Sequence, residues 1–256
     1  MVKSGMCSVT FRDKTPEEII DLVVEAGLDG IEWGADKHVP PTDLENAKRV
    51  GQLTRAAGLE VASYGSYYFA FDRPGDPLAD FTPEIDAAIA LGASVIRIWA
   101  GSFAIEKTPE YFRAVAGQSR AFAEAAQAAG IKIAYEFHAN TFTETLEGTL
   151  KLIEAVNHPN LYTYWQPPHG SGLEQRLEEL ATLKDRLLNL HVFHWTSNPE
   201  PHTRLPLAEG SKAWNTCLAA ADESGTERYA LLEFVRDDDP GQFLQDAATL
   251  KRGLLT

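Results

Sequence analysis

Short runs of β-branched and aromatic residues recur along the chain at intervals of about thirty residues, and each is followed by the apolar spacing of a helix. Eight such runs can be placed, approximately at Gly5–Thr10, Asp29–Trp33, Leu59–Tyr64, Ser94–Trp99, Ile131–Phe137, Leu161–Gln166, Leu187–Phe193 and Tyr229–Phe234. Strand alternating with helix is the rhythm of a parallel α/β sheet. Eight strands predict closure into a single (β/α)8 TIM barrel that occupies residues 1–256 as one domain. An open, doubly wound sheet is the alternative. The first strand is not followed by GxGxxG, which counts against a dinucleotide-binding form of it.

Helix punctuation agrees with this division. Thr15-Pro16-Glu17-Glu18, Thr82-Pro83-Glu84 and Thr108-Pro109-Glu110 each place a capping hydroxyl before a first-turn proline and acidic residues that suit the helix dipole. Ala26-Gly27, Ala57-Gly58, Leu91-Gly92, Ala129-Gly130 and Ser224-Gly225 place a glycine where a helix ends ahead of the next strand.

The chain has 256 residues, 44% of them hydrophobic, which suits one sizeable core. Residues 1–10 lack a long apolar run, and no stretch approaches the ~18 apolar residues of a membrane span. A soluble, cytoplasmic protein with no membrane partner is expected. Cys7 and Cys217 read as reduced core residues. With 23 Lys and Arg against 37 Asp and Glu, the net charge of −14 repels nucleic acid, and no dense basic cluster offsets it. Self-association into a homo-oligomer is left open.

In a barrel of this kind the active site lies at the C-terminal ends of the strands. Those positions are unusually polar here: Glu32-Trp33 with His38 beyond, Arg97 with Trp99, Glu136-Phe137-His138, Trp165-Gln166 with His169, His191 with His194, and Glu233. Taken singly, each has a plain explanation as a salt-bridged carboxylate or a hydrogen-bonded histidine. Glu136, Gln166, His191 and Glu233, however, fall at the ends of four successive strands, which a closed barrel brings together. Carboxylates buried together repel, and a cation resolves that repulsion. Two carboxylates, one imidazole and one amide oxygen suit Mn²⁺, Mg²⁺ or Co²⁺, without choosing among them. Internal hydrogen bonding without a metal is the alternative. Trp33, Trp99, Trp165 and Trp195 also sit at strand ends, as a wall for a sugar ring or as barrel filling.

These residues resemble the xylose isomerase-like barrel superfamily, in its sugar (phosphate) isomerase/epimerase branch. The pieces that carry the resemblance are Gly30-Ile31-Glu32-Trp33-Gly34, Ile96-Arg97-Ile98-Trp99-Ala100-Gly101, the Glu136/His138 pair and Arg204-Leu205-Pro206-Leu207-Ala208-Glu209-Gly210. The resemblance implies a divalent cation held by Glu136, His191 and Glu233, with His191 preferred to His194 because Asp185 to Leu190 match the run-in to the family's metal-binding histidine. The family's strand-six Asp-x-x-His stands here as Gln166-Pro167-Pro168-His169, which removes a negative charge from the site.

The resemblance further implies a metal-assisted isomerase or epimerase of a small sugar or hydroxy-carbonyl compound, acting through an enediolate, with a small-molecule sugar or polyol as the partner. Glu136 and Glu233 are then the acid/base pair on opposite faces of the substrate. His169 and Arg204 orient substrate oxygens, with His138, Arg97, His38 and Trp33 as further substrate-binding candidates. A metal-dependent dehydratase of a polyol or keto-inositol is the alternative within the superfamily. A non-catalytic sugar-binding barrel is a third reading, because of Gln166. The superfamily's apurinic endonucleases fit less well, since they need more metal ligands and a basic surface. Arg97, Lys107 and Arg204 are too scattered to mark a phosphate pocket.

Overall fold

The computed structural model describes residues 1–71, 80–102, 107–196, 203–222 and 225–254. Among them are eight strands, β1 (Val2–Cys7), β2 (Gly30–Gly34), β3 (Glu60–Phe69), β4 (Val95–Trp99), β5 (Lys132–Tyr135), β6 (Leu161–Trp165), β7 (Leu187–Val192) and β8 (Arg228–Leu232). Helices α1 (Pro16–Ala26), α2 (Leu44–Ala56), α3 (Thr82–Leu91), α4 (Pro109–Ala128), α5 (Leu146–Val156), α6 (Leu173–Leu183), α7 (Leu207–Asp222) and α8 (Pro240–Leu254) follow them in turn. Every neighbouring pair is parallel, and β8 returns to β1 with Gly5 opposite Leu231, so the sheet closes as the eight-unit pattern predicts.

Local chemistry starts and stops the helices much as the sequence indicates. Thr15 caps α1 in a full capping box with Glu18, and the Thr108 hydroxyl accepts from the Tyr111 amide at the start of α4. At α3 the expectation shifts by a residue: Thr82 lies inside the helix, and its amide donates to the Asp80 carboxylate at 2.9 Å. Gly27 ends α1 at φ 63° and Gly92 ends α3 at φ 83°, a left-handed geometry that other residues enter only at a cost. Of the Ser224-Gly225 pair, Gly225 has φ 67° and Ser224 lies outside the described residues.

Six of the strands keep within two residues of the sequence reading at each end, and two depart further. β1 starts and ends three residues earlier, because Ser8–Phe11 turn into a short 3-10 helix. Its polar side chains serve neighbours instead of a ladder: the Ser8 hydroxyl accepts from the Gly34 amide, and that of Thr10 from the Phe234 amide. β3 runs on to Phe69, which pairs beside Trp99.

Apolar packing falls into two bodies. The larger lies between strands and helices and includes Ile31, Trp33, Ile96, Ile98, Trp165, Leu190 and Val192. The smaller is the barrel interior, where Cys7, Ala62, Val95, Ala134, Tyr164, Leu188, Tyr229 and Leu231 meet from every strand except β2. Above this floor the interior becomes polar. Cys7 and Cys217 are both buried free thiols, and among the described residues no helix is long and apolar enough to cross a membrane.

Candidate active site

The polar layer begins with two charges embedded in apolar strands. Glu32 lies between Ile31 and Trp33 on β2, and Arg97 between Ile96 and Ile98 on β4. Each alternates inward while its neighbours face the helices. Neither could be buried alone. Arg97 Nε donates to Glu32 Oε1 at 2.9 Å, its Nη1 donates to Glu136 Oε2, and Ser63 donates to the other Glu32 oxygen at 2.7 Å. Gly65 on β3 leaves room for this pair, since a Cβ there would meet Arg97 Nη2 at 2.7 Å and Glu32 Oε1 at 2.8 Å.

Glu136 and Glu233 stand one residue beyond β5 and β8, and their amides still bond to the Ile98 and Val192 carbonyls of the neighbouring strands β4 and β7. The chain then leaves the sheet, and the Thr143 and Thr141 hydroxyls take up the carbonyls of Glu136 and His138. His191, wholly buried on β7, sets its Nδ1 at 3.1 Å from Gln166 Oε1, 3.4 Å from Glu233 Oε2 and 3.5 Å from Glu136 Oε1. Its Nε2 faces the opposite way, 3.5 Å from Glu32 Oε1 and without a hydrogen-bond partner.

The two outer carboxylates are not equivalent. Burial opposes ionisation of Glu136, but Arg97 beside it, with His191, holds its carboxyl well below the usual range. The Trp99 indole N–H donates to the same oxygen as Arg97. Glu32 behaves similarly, burial being outweighed by Arg97 and His191, and is held at about 2. Glu233 is pushed up, by burial first and by the charges of Glu136 and Glu32, against the pull of His191 and Arg97. Burial raises the Cys7 thiol to about 12, so it is no nucleophile.

This donor set fits a divalent cation. Ligand atoms of Glu136, His191 and Glu233 all lie within 4.8 Å of one another, with the Gln166 oxygen facing the same imidazole nitrogen. Three buried carboxylates, Glu32, Glu136 and Glu233, share the centre, and Glu233, pushed up by burial and by the other two, is the one a cation would most relieve.

Above the polar layer opens a cavity of about 460 Å³, lined among others by Arg97, Trp99, Glu136, His138, Gln166, His169, Trp195, Glu233 and Phe234. His138 tilts against Trp99 with ring centres 5.2 Å apart, its Nδ1 donating to the Ala139 carbonyl at 2.7 Å. His169 stacks on Trp195 at 5.4 Å. Nine expected residues therefore converge: Glu136, Gln166, His191 and Glu233, with Arg97, His138 and His169 about them and Trp99 and Trp195 in the wall.

Four others do not reach the cavity. Trp33 is wholly buried toward α2, its indole N–H donating to Thr54; it packs the outer core. His38 is buried between Ser8 and the Lys14 carbonyl. Arg204 sits behind the wall, 4.7 Å over the Phe234 ring and bonded to Asp238. Trp165 likewise faces outward, to Glu179. Sequence reasoning passed over Glu32 as a site residue, and also Arg12 and Tyr67, which line the cavity. The signal for Glu32 was present: a lone carboxylate in an otherwise apolar parallel strand demands a partner.

A family model described as xylose isomerase-like TIM barrel matches residues 20–253. The chain belongs to this family. Over 176 residues it is 26% identical to a 3-dehydroshikimate dehydratase of Bacillus anthracis, a match spanning 62% of this chain and 60% of that protein. Among solved structures, a probable 3-DHS dehydratase involved in petrobactin synthesis in B. anthracis superposes with a TM-score of 0.77 at 18% identity, covering 98% of this chain and 99% of the other. A 3-keto-D-glucoside 4-epimerase of E. coli gives 0.75 at 16%, covering 98% and 99%. A family protein of Mycobacterium smegmatis in complex with magnesium gives 0.72 at 16%, covering 99% and 98%. Proteins that share this fold thus include a dehydratase and an epimerase, and one was solved in complex with magnesium.

Proposed function

We propose that the barrel is a divalent-cation-assisted dehydratase that removes water from a small β-hydroxy carbonyl compound, of the cyclic hydroxy-keto acid kind on which its curated relative acts. The observation that carries this reading is the inequality of the two carboxylates. Glu136 Oε2 is occupied by Arg97 and Trp99 together, and its carboxyl is held ionised. Such a group is a fixed anchor and a poor proton carrier. Glu233 has neither of these two donors, and burial shifts its carboxyl upward from its ordinary value, which suits it better to accept a proton.

Glu136, Gln166, His191 and Glu233 would hold the cation, which supplies polarisation of the substrate carbonyl and so acidifies the adjacent C–H. Glu233 accepts that proton. The C–H electrons form a C=C bond as the C–O bond to the β-hydroxyl breaks, and the departing oxygen takes a proton from a general acid to leave as water. His138 suits this second role, because its Nδ1 is committed to the Ala139 carbonyl and its ring is steadied by Trp99. His169, stacked on Trp195, orients the substrate from the other side.

Epimerisation is the second reading, supported by the fold shared with epimerases. It requires Glu136, or an imidazole in its place, to return the proton on the opposite face. Product mass separates the two. Enzyme loaded with Mn²⁺ is offered 3-dehydroshikimate and a panel of ketohexoses in deuterated water. Loss of one water supports dehydration; unchanged skeletal mass with carbon-bound deuterium supports epimerisation. Thermal stabilisation by these compounds without either product supports the non-catalytic barrel and sinks both.

A further inference from the structure

Phe234 has φ 56°, in the left-handed region, which is rare for a bulky aromatic residue and costs free energy. It directly follows Glu233. Along a regular strand successive side chains point to opposite faces, so Glu233 lining the cavity would send its neighbour away from it. Both residues line the cavity, and the left-handed turn at Phe234 makes that arrangement consistent.

Several contacts hold the residue in this conformation. Its amide donates to the Thr10 hydroxyl at 3.2 Å. The Arg204 guanidinium lies 4.7 Å from the ring centre, the Arg12 guanidinium 5.8 Å, and the Trp195 ring 5.9 Å. Arg204 is itself fixed by the Asp238 carboxylate and the Val235 carbonyl, both just past Phe234, and by a bridge that pairs it with Trp195. A cation over an aromatic ring is attracted to it, the more so where water is partly excluded. Arg204 therefore clamps the turn from outside the cavity.

We propose that Phe234, clamped by Arg204, is a positioning residue that aims the Glu233 carboxylate at the cation-holding centre. This gives Arg204 a task that needs no contact with substrate. It rests on the reading of Glu233 as a residue that holds the cation.

The test is Mn²⁺ binding by calorimetry, with thermal unfolding measured alongside, for the wild type, Phe234→Gly, Arg204→Gln and Arg204→Lys. Glycine accepts the left-handed geometry freely, so Phe234→Gly relieves the strain while releasing the clamp. The expected result is Mn²⁺ affinity about ten-fold weaker in Phe234→Gly and Arg204→Gln, intermediate in Arg204→Lys, and an unfolding temperature for Phe234→Gly no lower than wild type. A merely structural Phe234 predicts the reverse: lower stability with affinity unchanged, and that result overturns the proposal. Should Phe234→Gly fail to fold, Arg204→Gln, which keeps both ring and backbone, decides the same question. Wild-type binding with unchanged variants overturns the positioning role alone, whereas no binding by the wild type overturns it together with the cation site.

Discussion

His191 Nδ1 lies 3.1 Å from the amide oxygen of Gln166, across the ends of β7 and β6. This contact puts a neutral amide where a carboxylate would add charge to the centre. Gln166→Asp supplies that charge beside an unchanged imidazole. Mn²⁺ affinity is expected to rise at least about ten-fold, since hard cations follow the charge of their oxygen ligands. Calorimetry on the two proteins measures it. An equal or lower affinity would show that Gln166 takes no part in holding a cation.

Arg97 is the internal counter-charge of the site. It is 3% exposed and bonds to both Glu32 and Glu136. Replacing it with methionine leaves two buried carboxylates without their cation, which is expected to cost about 3–5 kcal/mol. Urea denaturation at neutral pH reports the loss. A change within experimental error would mean that the carboxylates are neutralised by some other means.

Trp33 and its neighbour Glu32 show what could be read from the sequence. The eight strands, their parallel order and the four residues at the ends of β5 to β8 follow from apolar periodicity and strand counting, because those features are local. The direction of each side chain is also local, through alternation. Once Glu32 faces inward, Trp33 must face α2, so its packing role was legible although the sequence reading placed it at the substrate. His38 and Arg204 stand in connecting segments without such alternation, and only the folded chain shows that Ser8 and Phe234 claim them. The early end of β1 was equally hidden, since it depends on Ser8 and Thr10 serving residues of β2 and the β8 turn.

Trp33→Phe turns that distinction into an experiment. It removes the bond to Thr54 and part of a wholly buried side chain, at an expected cost of about 1–3 kcal/mol. Mn²⁺ affinity should stay within about two-fold of wild type, since Trp33 makes no contact with the cavity. A large loss of affinity with stability intact would return Trp33 to the site.

His38 predicts a pH dependence of stability. Burial first of all lowers its pKa from 6.5, against the pull of the Lys14 carbonyl and Asp36. The unfolded chain then binds a proton more readily than the native one, so stability falls as pH drops through 6.5 toward the folded value and is flat above it. His38→Gln removes this contribution. Unfolding midpoints at about pH 5 and about pH 8 should differ less for the variant than for the wild type. An identical pH slope would show that His38 is not the group responsible.

Glu136, Gln166, His191 and Glu233 are proposed to hold one divalent cation. Elemental analysis after Mn²⁺ loading and desalting tests it most directly, on the wild type beside Glu233→Gln. About one equivalent of metal per chain in the wild type, with most of it lost in the variant, is the predicted result. Metal absent from both proteins, or retained equally by both, would contradict it.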